Sequence, residues 1–439
     1  MTGLVELVVD ALGDAGDGIA RTVGGTVFLP WVLPGERVRA RLVGRRGGGH
    51  LAEAEAHVAE SPDRVTPPCP HFGACGGCAL QHWADRPYAE WKRAKLVDAL
   101  ARAGFDGAPV APLARTPPAT RRRADLALRR GAAGITLGFH ARGSNEVVDL
   151  AVCVVLDPRL VALFAPLRAL LRGLKALRRE GSAVLNLLDT GPDLLLRTDA
   201  ALDAAGRAAL AVFAERHGIP RIAWIRSGST MGVRSGSAAG AQNAAASETA
   251  AQLGPATIRW GEAVVAPPPG AFLQASPDGE AAIVAAVLAG LPTPLPARMH
   301  VGELYAGIGT LTFALAARVR VTAFEGSAEA VAALAAAAGR TGARITAVRR
   351  DLDRQPLLAP ELKGFAAVVL DPPFAGAAEQ VALLARARAP SIVYVSCNPA
   401  ALARDAVALR QVGYRVTAAT PVDQFLWSPH LESVVAFAL

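Results

Sequence analysis

From about residue 298 to its end the chain repeats one pattern: a short apolar run, a glycine- or proline-bearing turn, then a helix-length stretch. The apolar runs, rich in β-branched residues, are His300–Leu304, Val319–Phe324, Arg344–Val348, Ala366–Leu370 and Ser391–Val395. Continuous apolar runs of this length joined by helices read as parallel strands covered on both faces. A sixth helix-linked run, Tyr414–Ala419, and a seventh, Ser433–Leu439, have no helix-length segment between them. The pattern therefore predicts an α/β fold, a doubly wound sheet with an antiparallel edge. In such sheets ligands gather outside the carboxyl ends of the strands, so chemistry is sought there.

Those ends carry distinctive residues. The first strand runs into Glu303-Leu-Tyr305-Ala-Gly307-Ile-Gly309-Thr310, a glycine turn that lets backbone approach a ligand at a helix N-terminus. The second ends at Glu325, where an acid accepts hydrogen bonds from ribose hydroxyls, and the third near Asp351, a candidate adenine contact. The turn is not G-x-G-x-x-G, which disfavours a dinucleotide and suits S-adenosylmethionine, a nucleoside cofactor without a pyrophosphate. The fourth strand delivers Asp371-Pro-Pro-Phe374, whose two prolines make a rigid turn. The fifth delivers Cys397 before Asn398-Pro399, and Pro429-His430-Leu-Glu432 places an acid at the mouth of the last strand. Taken alone, Cys397 is either a nucleophile or a small buried hydrophobe.

Upstream, residues 1–60 hold short strands punctuated by glycine and proline: Val5–Val9, Gly18–Arg21, Gly25–Phe28, Glu36–Val43 and Leu51–Val58. Their even spacing predicts a small OB-like β-barrel, a frequent nucleic-acid platform. Cys69, Cys75 and Cys78 follow with spacing C-x5-C-x2-C, and Cys153 is the remaining thiol outside the β/α region. Four thiolates hold tetrahedral zinc or a [4Fe–4S] cluster; a compact trio plus one distant cysteine is closer to iron–sulfur ligation than to paired zinc knuckles. Further on, the sequence predicts a helix over Pro87–Ala103, a hairpin from Ala124–Arg130 and Gly134–His140, and a helix over Leu156–Leu177. An αβ unit then covers 183–233, and Ser227–Ala246 reads as a loop. Five cysteines, an odd number, point to metal or catalysis rather than disulfides.

The formal charge is +8, and only four of the 46 basic residues are lysine, so the excess is guanidinium, suited to phosphate. The cluster Arg121-Arg-Arg123 reads as a phosphate contact or as a solvated face. The N-terminus lacks the basic start of a signal peptide, and the longest apolar runs, such as Ala281–Leu291, fall short of the ~20 residues a bilayer needs. The expectation is a soluble, cytoplasmic protein, monomeric and without a membrane partner.

Together these residues resemble the RNA uracil-C5 methyltransferases, in particular the iron–sulfur branch acting on bacterial large-subunit rRNA. The resemblance rests on the four cysteines with Gly76-Gly77, Phe272-Leu-Gln274, Leu304-Tyr-Ala-Gly-Ile-Gly309, Asp371-Pro-Pro, Ser396-Cys-Asn-Pro through Asp405, and His430-Leu-Glu-Ser433. It implies a TRAM-like RNA-binding barrel over 1–60, a central α+β domain with an iron–sulfur loop over 61–265, and a Rossmann-like class I methyltransferase domain over 266–439. It implies cofactor contacts at Gln274, Tyr305, Glu325 and Asp371, Cys397 as nucleophile, Glu432 as base, and RNA as partner, rRNA before tRNA. Two positions depart from the family pattern: Phe374 where arginine is common, and Ser276 where asparagine is usual. The other readings are an exocyclic-amine methyltransferase and a noncatalytic RNA-binding assembly factor.

Overall fold

The computed structural model describes residues 4–227, 247–293 and 299–439; most of the loop expected over Ser227–Ala246 lies outside them. Three large sheets organise the chain.

The N-terminal sheet has six strands, in the order Leu4–Val8, Arg37–Arg46, Gly49–Ala59, Gly25–Leu29, Gly18–Thr22, Ala11–Leu12. Alternation explains its two faces. Along Arg37–Arg41 the arginines are exposed, while Val38 and Ala40 sit fully buried with Leu7, Val27 and Leu29. The expected strands are all present; the long pair 37–46 and 49–59 extends further than the sequence suggested.

The central sheet is ordered Glu248–Gln252, Arg221–Arg226, Gly191–Thr198, Glu180–Leu188, Arg123–Gly131, Gly134–Gly138. The predicted hairpin is there, with Gly131 opposite Gly134. The long helix expected over 156–177 is not. It is two pieces, Pro158–Val161 and Phe164–Gly173. Tertiary contacts set its end: the Arg130 guanidinium, from the neighbouring strand, donates to the carbonyls of Leu171, Arg172, Leu174 and Leu177. Leu171 and Arg172 lie in the last helical turn, where carbonyls run out of intrahelical partners, and Leu174 and Leu177 lie in the turn that follows.

The third sheet has eight strands, ordered Ile345–Arg349, Arg320–Glu325, His300–Leu304, Ala367–Leu370, Ser391–Ser396, Glu432–Ala438, Arg415–Asp423, Ala114–Arg115. The first five are parallel. The antiparallel strand corrects the sequence reading. Glu432–Ala438 is not an edge: it inserts between Ser391–Ser396 and Arg415–Asp423, antiparallel to both. The helix Pro399–Gln411 carries the chain past one vacant position, and segment 424–431 folds back to fill it. The edge is taken instead by Ala114–Arg115, from far upstream. With it comes the helix Asp85–Arg102, whose Leu96, Ala99 and Leu100 share a core with Leu370, Tyr394, Leu402 and Phe437. No helix among the described residues is long and apolar enough to cross a membrane.

Candidate active site

In a parallel sheet, register decides which side chains share the carboxyl edge. Leu304 is level with Phe324 on one side and Leu370 on the other, and Leu370 with Tyr394. Ser396 pairs with Ser433 across the antiparallel join. The residues just beyond these pairs are Tyr305, Glu325, Asp371 and Cys397, with Glu432 just before Ser433, so residues from distant parts of the chain meet at one edge.

The glycine turn is built for a close approach. Tyr305 has φ +62°, a left-handed backbone rare for a bulky side chain and a mark of functional strain. Gly309 has φ +104°, and a Cβ there would lie 2.6 Å from Leu334, so only glycine fits. Glu325 anchors the turn, accepting from the Gly307 N–H at 2.9 Å and the Ser327 N–H at 2.7 Å. Thr310 opens the following helix. Asp351 accepts from the backbone N–H groups of Asp353 and Arg354, which shapes the loop after the third strand; the Tyr305 hydroxyl donates to Asp353 at 3.4 Å.

A polar chain joins the two acids of the site. The Gln274 amide donates to Asp371 Oδ2 at 3.2 Å. Gln424 Nε2 donates to Gln274 Oε1 at 2.7 Å and to Glu432 Oε2 at 2.8 Å, while Gln424 Oε1 accepts from the Ala275 N–H. Gln274, Gln424 and Glu432 are all buried, and the second Glu432 oxygen has no partner among the described residues. A buried acceptor left open is costly unless something is meant to fill it. Burial, the nearby Asp371 charge and only one opposing hydrogen bond hold the Glu432 carboxyl well above the usual range. Burial pushes Asp371 up to about 7 against the Gln274 hydrogen bond. Burial, then the charges of Glu432 and Asp371, push the Cys397 thiol up to about 12. Burial and the two acids thus favour the neutral thiol at Cys397; positive charge beside it, or neutralisation of an acid, favours the thiolate.

The motif residues around Cys397 turn out to be braces. Asn398 caps its helix through the Ala400 N–H and donates to the Phe374 carbonyl at 2.9 Å. Asp405 accepts from the Ala377 N–H and from the Tyr394 hydroxyl. Together they lock the Asp-Pro-Pro loop against the helix Pro399–Gln411. Phe374 is exposed at the tip of that loop, edge-on to His430. Ser276, the other departure, is the N-cap of Pro277–Ala289 and accepts from the Gly279 N–H.

Sequence reasoning missed two residues here. Gln424 sits in an unremarkable strand end, and only the fold sets it between Gln274 and Glu432. Glu303 was part of the motif but given no role; it is buried, with one oxygen unpartnered. Burial first, then the charges of Asp371 and Glu325, push it up to about 8. Its ordinary value is 4.5, so the folded state prefers it protonated. Its contribution to stability is full below 4.5 and lost as pH rises through about 8; Asp371 acts with the same sign. In ligand-free protein, Glu303→Gln should remove this loss. We expect equal stability to wild type in mild acid and a gain of a few kcal/mol, on the order of 1.4 per pKa unit, above the Glu303 transition. Urea denaturation across pH measures this; a gain independent of pH would refute it.

The four upstream thiols form a second cluster. Cys75 is bridged to Ala141, and Gly76 donates to the His140 carbonyl at 2.9 Å, where a Cβ would sit 2.7 Å from that oxygen. Cys69 N–H donates to Gln81. Burial, then the charges of neighbouring thiols including Cys153 and Cys69, raise Cys75 and push Cys78 up to about 12. Cys153 is raised by burial and by Cys69. The thiols are thus neighbours, although among the described residues no three side chains stand in coordinating position. As residue types, thiols are soft donors of the kind a thiophilic metal or cluster takes.

Comparisons with known proteins bear on this geometry. Residues 296–438 match the tRNA (uracil-5-)-methyltransferase family. A chain of Caulobacter vibrioides named only as an RNA methyltransferase is 40% identical over 98% of this chain and 99% of its own. A Chromohalobacter salexigens protein named 23S rRNA (uracil(1939)-C(5))-methyltransferase is 38% identical over 98% of this chain and 88% of its own. In shape, the crystal structure of the Pyrococcus abyssi tRNA (uracil-54, C5)-methyltransferase with S-adenosyl-L-homocysteine superposes with TM-score 0.73 over the whole of both chains at 23% identity.

Proposed function

Since the chain belongs to the RNA uracil-C5 methyltransferase family and is an S-adenosylmethionine-dependent enzyme of that class, we propose that it makes 5-methyluridine in 23S rRNA, with Cys397 as nucleophile and Glu432 as base. The observation that carries the residue roles is the pairing of Ser396 with Ser433, which sets Cys397 and Glu432 at the mouths of adjacent strands. Uracil C5 is a poor nucleophile. A Cys397 thiolate adding to C6 pushes an electron pair through the ring and makes C5 nucleophilic. When bound, the cofactor would supply an electrophilic methyl on a sulfonium; C5 forms its new bond to that methyl while the breaking C–S pair stays on sulfur as a neutral thioether. The Glu432 carboxyl, held well above the usual range, must first lose its proton, which the cofactor's positive charge favours; its open oxygen then takes the C5 proton, the C5–C6 double bond re-forms, and the thiolate departs. A uracil reaches such a site by leaving its stack, and the exposed Phe374 and Phe272, the latter under Arg123, offer faces for it or its neighbours.

The electrostatics favour a cationic cofactor. Glu303, Glu325 and Asp371 end three adjacent strands, and the sulfonium and ammonium of the cofactor would relieve the cost of holding their charges together. Gln274, Tyr305, Gly307, Gly309, Thr310, Glu325, Asp351 and Asp371 are its proposed contacts. Cys69, Cys75, Cys78 and Cys153 are the proposed ligands of a [4Fe–4S] cluster, with zinc as the competing occupant; iron and inorganic-sulfide analysis separates the two.

Support for 23S rRNA comes from relatives of that name at 36–38% identity over nearly all of this chain. The tRNA enzyme shares less, and its likeness concerns the fold. The test is mapping of 5-methyluridine in rRNA and tRNA from a strain lacking this protein. One 23S site should lose its methyl group and regain it when purified protein and cofactor are added; loss confined to tRNA would refute the substrate.

A further inference from the structure

The segment 424–431 that folds the last strand back into the sheet is tied at three points by one face of a distant helix. On Asp85–Arg102, Tyr88, Lys92 and Lys95 lie on successive turns of one face. Lys92 is completely buried, and its ammonium donates to Asp423 Oδ1 at 2.8 Å, to the Phe425 carbonyl at 3.5 Å and to the His430 carbonyl. The Tyr88 hydroxyl donates to Asp423 Oδ2 at 2.6 Å and accepts from the Trp427 N–H at 2.9 Å. Lys95 donates to the Pro429 carbonyl at 2.8 Å. Three side chains thus tie both ends and the middle of the segment. Trp427 needs the tie, since its φ is +57°. Its carbonyl in turn accepts from the N–H groups of Ala79 and Leu80, immediately after Cys78.

What the segment positions is the proton-removing machinery. Gln424 follows Asp423 directly, and Glu432 lies two residues past His430. Among the described residues, the hydrogen bond that orients the Glu432 carboxyl comes from Gln424. A buried lysine costs several kcal/mol in desolvation, which a merely structural site would avoid with an apolar residue of the same shape. An ammonium can gather a carboxylate and two carbonyls at one point; a methionine cannot.

We infer that Lys92, with Tyr88 and Asp423, is a positioning residue for Glu432: it fixes segment 424–431 so that the carboxylate meets the C5 proton after methyl transfer. This rests on the proposed roles of Cys397 and Glu432. A 1 Å displacement of a catalytic group costs about 10²-fold in rate. The step lost would be proton removal, after the covalent Cys397–uracil bond and the new methyl group are in place.

The experiment uses the full-length protein, rRNA from the strain lacking it, and cofactor with a tritiated methyl group. In Lys92→Met, kcat should fall about 10²-fold with KM for the cofactor unchanged. A denaturant-resistant protein–RNA adduct carrying the label should accumulate, as in Glu432→Gln run beside it. Tyr88→Phe, which keeps the ring and removes only the hydroxyl, should give the same adduct to a lesser extent. A folded Lys92→Met that turns over like wild type, or loses rate without adduct, overturns the inference. If Lys92→Met does not fold, Tyr88→Phe with wild-type kcat and no adduct overturns it. Absence of adduct in Glu432→Gln as well would instead sink the proposed role of Glu432.

Discussion

Cys397→Ala will stop methyl transfer and leave cofactor binding intact. The thiol forms the bond on which the proposed reaction depends, so the loss should be on the order of 10⁴- to 10⁶-fold, the scale seen when an enzyme loses its nucleophile. In the ligand-free site the thiol is pushed up to about 12 by burial and by Glu432 and Asp371, so at neutral pH the neutral thiol dominates. Two things change when the site fills: the sulfonium brings a positive charge, and the uracil carbonyls offer somewhere for the electron pair to go. The sign of the pH dependence follows. Adduct formation should rise with pH from the acid side, because the thiol's value is raised. With 5-fluorouridine-containing RNA the wild-type protein should form a stable covalent adduct, since fluorine at C5 cannot leave as a proton does. Cys397→Ala should form none. An adduct surviving in the alanine variant would place the nucleophile elsewhere and end this reading.

Glu432→Gln has the second-largest expected effect, and of a different kind. The glutamine keeps the shape and a hydrogen-bonding partner for Gln424 but cannot take a proton. Addition and methyl transfer should proceed; elimination should not. Turnover should drop by about 10²- to 10⁴-fold, the usual range for a positioned base, with methylated, covalently bound RNA accumulating on ordinary uridine. The substitution also removes a carboxylate that raises Cys397, so the midpoint of adduct formation should move to lower pH. Rapid-quench assays of adduct against pH measure both. A variant that loses rate without trapped RNA, or whose midpoint moves up, would assign Glu432 to another step.

The carboxyl-edge residues were readable because each sits where a periodic pattern ends. Cys397, Asp371 and Glu325 close apolar runs, and strand ends in a parallel sheet are where side chains reach a ligand. The glycine turn was readable for a steric reason: nothing but glycine fits beside Leu334 at Gly309. Roles were less legible than positions. Glu325 appears in sequence only as a ribose acceptor, whereas in the fold it also fastens the Gly307 amide. Asn398 and Asp405 belong to a recognisable motif yet serve to brace the Asp-Pro-Pro loop.

By itself, then, the sequence determined the parallel β/α core and which residues stand at its carboxyl edge, since these follow from local periodicity. Only the tertiary structure decided the rest. It inserted the last strand beside Cys397 rather than at the edge, ended a helix with an arginine from a neighbouring strand, and brought Lys92 to Asp423 across 331 positions of chain. The reason is physical: a buried polar group must be satisfied by whatever the fold brings near it, and no local pattern records which partner that will be.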